Sequence, residues 1–195
     1  VAGSWRDPAN FDKSMDIFLA KSADGKIIKR LTSVKGYDAE GSYSPNGQQI
    51  VYTSTSEDPS GDLYIMNADG SGRKRLTNKP GYDGGPFFSP DGKRVVFRAF
   101  RAKGGEIAQV FTIKTDGTDE TQLTWLPRIN WCPIYHPNGK YIIYAANTGT
   151  RHNFELFLVK SDGSGEVQIT HNAGFDGLPC FSPDGKKLMW TSNRV

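Results

Sequence analysis

Three landmarks recur down the chain at one spacing. Ser44-Pro45, Ser89-Pro90, His136-Pro137 and Ser182-Pro183 stand 45, 47 and 46 residues apart. Asp24-Gly25, Asp69-Gly70, Asp116-Gly117 and Asp162-Gly163 keep those intervals, and so do Leu31-Thr32, Leu76-Thr77, Leu123-Thr124 and Ile169-Thr170. Around the second landmark pair the match extends to whole phrases, GYDGGPFFSPDGKRVVF at 81–97 and GFDGLPCFSPDGKKLMW at 174–190. A chain with such a period is built from copies of one supersecondary unit, each burying its apolar face against the next.

The letters of one period say what the unit is. Between Gly84 and Thr124 lie four β-like runs, GPFFS, KRVVFRAF, QVFTIKTD and TQLT, here named a, b, c and d. Ser89-Pro90-Asp91-Gly92 sets Pro where φ is already fixed and Gly where positive φ is wanted, and Asp116-Gly117 closes the next pair in the same way. The unit is four antiparallel strands. With 22 Gly and 11 Pro in 195 residues the chain has too many turn formers for long helices, and no run keeps helical apolar spacing, so the class is all-β. Strand c, as in Leu63-Tyr64-Ile65-Met66 or Leu156-Phe157-Leu158-Val159, is apolar on both faces and must be covered twice. Strand d, as in Arg73 to Thr77, has little more than one large apolar side chain and belongs at an outer edge. Identical sheets stacked face to face around an axis satisfy both demands. The expectation is a single β-propeller domain over 1–195 with a strands innermost.

The unit DLYIMNADGSGRKRLTNKPGYDGGPFFSPDGKRVVF resembles the WD40-like repeat of TolB-type β-propellers, and the likeness covers nearly the whole chain. The separate N-terminal domain of TolB finds no counterpart in these residues. The resemblance implies a periplasmic or secreted protein, and it leaves the role open, because such propellers also accompany peptidases. At the ends, Val1 to Ser4 read as the close of a b strand, Asp16 to Thr32 as c and d, and Leu188 to Asn193 as b. That makes about four repeat equivalents. Either three complete blades are joined by one split between the termini, or the chain is a segment of a larger propeller.

Charge and motifs narrow the function. A net charge of +3, from 24 basic and 21 acidic side chains spread along the chain, gives no field for nucleic acid. No apolar stretch reaches the ~18 residues of a transmembrane helix, and a signal peptide is either absent before Val1 or removed. G-x-S-x-G is missing, and His136, His152 and His171 fall in an a–b turn, a b–c loop and the tail of a d strand, with no metal-binding spacing. No catalytic residue is expected. Cys132 and Cys180 are expected as small buried hydrophobes rather than a disulfide.

Two groups are candidate binding residues. Asp38, Asp83, Asn130 and Asp176 share one repeat position where the chain joins strand a, which would place them at the mouth of a central channel. Three carboxylates there either attract a cation such as calcium or a ligand donor, or each accepts backbone N–H bonds that tighten its turn. No other cofactor is indicated. The second group departs from the repeat: Trp5 and Arg6 in one long loop, and Trp125, Arg128 and Trp131 around another, have the side chains of protein interfaces. The reading is a non-catalytic module binding a protein or peptide. The alternative is the propeller segment of a peptidase-like or glycan-processing enzyme.

Overall fold

The structure, a computed structural model, describes residues 15–102, 105–149 and 152–194. Among them every regular element is a strand. β1 (Phe18–Ala20) and β2 (Ile27–Arg30) form a first, two-stranded sheet. The second sheet is β3 (Asp38–Tyr43), β4 (Gln49–Ser54), β5 (Asp62–Asn67) and β6 (Lys74–Arg75), in that order. The third is β7 (Tyr82–Phe88), β8 (Arg94–Phe100), β9 (Gln109–Lys114) and β10 (Thr121–Gln122), and the fourth is β11 (Asn130–Tyr135), β12 (Tyr141–Asn147), β13 (Phe154–Lys160) and β14 (Val167–Gln168). β15 (Asp176–Phe181) and β16 (Leu188–Ser192) make a fifth, two-stranded sheet. All ladders are antiparallel, as the turn chemistry requires. In the Ser-Pro-Asp-Gly turn, Gly92 at φ 70° donates its N–H to the Ser89 carbonyl at 2.8 Å, and the Asp91 carboxylate accepts from the Ser89 hydroxyl at 2.6 Å.

Burial follows the alternation of side chains across each strand. On β5, Leu63 and Ile65 join a core with Phe88, Val95, Phe97 and Phe111 of the third sheet, while Tyr64 and Met66 face the other way, with Ile50 and Tyr52 and toward Ile17 and Leu31. β13 divides likewise, Phe157 and Val159 to one core and Leu156 to the next. Each such side chain contributes about 1.5–3 kcal/mol by leaving water, so the c strands are what glue sheet to sheet. Neighbouring a strands touch, β3 with β7, β7 with β11 and β11 with β15, whereas β6, β10 and β14 touch only their own c strands. The a strands are therefore innermost and the polar d strands outermost. Every a strand also carries a bulge, at which Glu40, Cys132 and Leu178 take the left-handed φ that Gly85 adopts in the third sheet.

Among the described residues, closure by shared strands is not formed. β16 and β1 belong to separate sheets, so the described residues make an open arc of one half sheet, three complete sheets and another half. The consequence is visible at equivalent positions. Phe18 is 52 % exposed and Met189 is 68 % exposed, where Tyr64 and Val51 are buried.

Candidate binding site

Asp38, Asp83, Asn130 and Asp176 are all buried at the start of their a strands. Their backbones already tie sheet to sheet: the N–H groups of Asp38, Asp83 and Asn130 donate to the carbonyls of Met15, Gly61 and Ala108 in the preceding repeat at 3.0, 3.0 and 2.9 Å. The side chains do not cap their own turns as the sequence led us to expect. Asp83 instead receives Arg101 through Nε at 3.1 Å and Nη2 at 2.6 Å, and Asp176 is paired with Arg194. Asn130 donates to the Ala108 carbonyl at 2.9 Å and to Gln109 Oε1 at 3.1 Å, and accepts from Arg128 Nε at 3.2 Å. The reason is register. Asp83 lies opposite Ala99 and Asp176 opposite Ser192, so the arginine two residues farther on, just past the end of each b strand, returns to the same face. Burial pushes the Asp83 carboxyl up to about 7 against the pull of Arg101. For Asp176 burial acts upward too, but Ser192, Thr170 and Arg194 together hold it below the usual carboxylate range. Asp38 keeps one carboxylate oxygen, Oδ1, without a partner.

The Leu-Thr landmark has a similar purpose. The hydroxyls of Thr32, Thr77, Thr124 and Thr170 accept the N–H groups of Ile17, Leu63, Val110 and Leu156, each at 2.9 Å, which fastens the end of strand d to the start of strand c. Over the aromatic ring that follows each of the last three N–H groups lies a guanidinium: Arg73 on Tyr64 at 4.1 Å, Arg101 on Phe111 at 4.7 Å and Arg128 on Phe157 at 4.2 Å. These arginines come from different parts of their repeats, yet end in one place.

Arg128, one of the loop-face candidates, also donates to Glu166 at 2.6 Å within the same repeat. Trp131 is half-buried, edge-on to Phe154 with centroids 6.4 Å apart. Trp125 alone of the three projects, 74 % exposed beside the exposed Leu126. Trp5 and Arg6 lie outside the described residues.

One polar cluster went unread in the sequence. Arg98, on β8, is buried and donates through Nη2 to Glu40 Oε1 of the preceding sheet at 2.6 Å. Glu40 Oε2 accepts from the Tyr82 hydroxyl and the Gly85 N–H, both at 2.7 Å. A Cβ on Gly84 would collide with Tyr82 and Glu40, and one on Gly85 with Arg98, so the glycine pair clears the space. Its signal in the sequence is Arg98 itself, at the repeat position held by Thr53, Ala145 and Thr191. Burial raises the Glu40 carboxyl, but Arg98, Tyr82 and the Gly85 N–H draw it below its ordinary value. A folded value below the unfolded one stabilises the protein above the ordinary range, and that stability is lost as pH falls through the folded value. Glu40→Gln should therefore lower the urea midpoint at pH 7, and the gap to wild type should close on acidification below the usual glutamate range. A gap independent of pH would contradict the ion pair.

The family model for the TolB beta propeller domain matches residues 11–157. The chain belongs to the TolB β-propeller family. A protein assigned as TolB from Agrobacterium tumefaciens superposes on 93 % of this TolB-family chain with TM-score 0.75 and 25 % identity, and TolB from Acinetobacter baumannii on 95 % with 0.77 and 23 %. The chain spans 69 % and 45 % of those two. An oligogalacturonate lyase in complex with manganese shares the fold over 90 % of this chain and 52 % of its own, with TM-score 0.69 and 14 % identity. No curated protein sequence matches.

Several further groups of this TolB-family propeller are placed by the structure. Among the described residues, no three of His, Cys, Asp and Glu stand together as a metal site, and no helix is long and apolar enough to cross a membrane. His136 packs on the next a–b turn, its ring 4.6 Å from that of Phe181, while His152 and His171 are exposed. Both cysteines are free thiols, but they are not equally buried: Cys132 is half-buried, with its thiol pushed up to about 12 by burial, and Cys180 is exposed.

Proposed function

We propose that this TolB-family chain is a non-catalytic binding module, periplasmic or secreted, that engages a protein or peptide partner through its loops. The observation that carries the reading is Trp125, 74 % exposed next to Leu126 on a connection where the other repeats place smaller or polar residues. A large aromatic side chain held in water by a rigid scaffold is a common anchor of protein interfaces. Family membership supports the same reading. The alternative, a propeller segment of a glycan-processing enzyme, draws on the likeness in fold to the oligogalacturonate lyase.

A random peptide library selected on the immobilised chain tests this reading. Selected peptides should lose at least about tenfold in affinity to Trp125→Ala, the effect of removing an interface anchor. Selected peptides indifferent to that substitution would move the site elsewhere. Turnover of peptides or oligogalacturonate by the purified chain, abolished by one substitution, would overturn the non-catalytic part.

A further inference from the structure

We infer that Arg98 recognises a carboxylate of a ligand lying along the inner strands, with the apolar part of that ligand beside Leu178 and Trp131. The inference rests on the binding-module reading and adds to it a second, chemically defined contact on a different surface. The sheets do not require an ion pair at this position, because Thr53, Ala145 and Thr191 fill it elsewhere. The two partners are unequally satisfied. Glu40 has acceptor contacts on both oxygens, to Arg98, Tyr82, the Gly85 N–H and, more loosely, Thr53. Arg98 gives Nη2 to Glu40, its Nε has no acceptor, and its Nη1 lies against the bare backbone of Gly85. A guanidinium has more donors than one carboxylate oxygen uses, and its planar fork suits a second carboxylate. The unfilled capacity is cationic and donating, so the ligand group it fits is an anion.

The neighbouring residues give the rest of the ligand. Cys132 holds the bulge position next along the arc after Gly85, on β11, which packs against both β8 and β15. Leu178 is 50 % exposed, and Trp131 precedes Cys132 with part of its ring open. A carboxylate next to an aromatic or aliphatic group matches this strip, whether the carboxylate is a peptide C-terminus or an acidic side chain.

The test uses the 195-residue chain and side-chain Nε–H resonances of 15N-labelled arginine. Three probes are titrated: N-acetylphenylalanine, N-acetylaspartyl-phenylalaninamide and the uncharged N-acetylphenylalaninamide. Saturable shifts of the Arg98 resonance are expected with at least one acid, at a Kd of about 1 mM for a ligand of this size, and not with the neutral amide. Comparing the two acids tells a terminal carboxylate from a side-chain one. Arg98→Lys, which keeps the charge beside Glu40, should weaken the acid several-fold, and so should the surface change Leu178→Ser. Val167→Ser, an exposed change on the outermost strand β14, should leave it unchanged. Equal binding of acid and amide, or no shift up to about twenty times that Kd, would overturn the inference. Library peptides that still depend on Trp125 would then leave the loop-face reading standing.

Discussion

Arg101→Ala should lower the unfolding free energy by about 3–5 kcal/mol, the range for breaking a buried ion pair by deleting one partner. Asp83 would be left fully buried with no counter-charge, next to Thr77 and within reach of the charge on Asp62. Glu120, which takes two bonds from Arg101 at 2.6 and 3.0 Å, would keep only Lys79. Phe111 would lose the guanidinium over its ring. Two comparisons isolate the cause. Adding Asp83→Asn to Arg101→Ala should recover a large part of the loss, because the stranded charge is gone. Lys114→Ala, which removes a pair with Asp119 in which both side chains are half-exposed, should change stability by less than about 1 kcal/mol. Equal losses for Arg101→Ala and Lys114→Ala, measured by urea unfolding, would contradict the account.

The second large effect tests sheet stacking. Phe18, Tyr64, Phe111 and Phe157 hold one position of strand c, but only the last three are covered on both sides. Phe157 is buried, its ring 5.9 Å from that of Tyr144 and beneath Arg128. Phe157→Ala should destabilise by about 3–5 kcal/mol through lost burial and the cavity left behind. Phe18→Ala, at the equivalent place on the exposed first sheet, should stay within about 1 kcal/mol. Similar losses at the two positions would mean that the first sheet is covered in solution as the inner sheets are.

Much of this was legible in the letters because repetition averages out local ambiguity. One such turn is a weak signal, but four at a fixed interval, SPNG, SPDG, HPNG and SPDG, set the strand boundaries, and the doubly apolar c strands then required neighbours on both faces. Side-chain partnership was harder to read. Asp83 and Arg101 are 18 residues apart, as are Asp176 and Arg194, and that interval becomes a contact only once the a–b register is known. The guanidinium over the c-strand aromatic was hidden for another reason. Arg73, Arg101 and Arg128 reach the same spot from three different positions, so no repeat alignment groups them. Arg128 and Trp131 stood out because they break the repeat, and both also make contacts within the fold that the letters did not show: Arg128 covers Phe157, and Trp131, half-buried, meets Phe154. Arg98 is the opposite case, a departure lying inside an apolar run that reads as ordinary core.

The central claim is that the shared polar positions fasten sheet to sheet, and that binding belongs to the residues that depart from the repeat. Thermal melting of wild type and Asp83→Asn in calcium and in chelator tests it most directly. The account predicts that each protein melts at the same temperature in both buffers. A wild type that melts higher in calcium, with the difference abolished by Asp83→Asn, would make the Asp38, Asp83, Asn130 and Asp176 positions a cation site and contradict it.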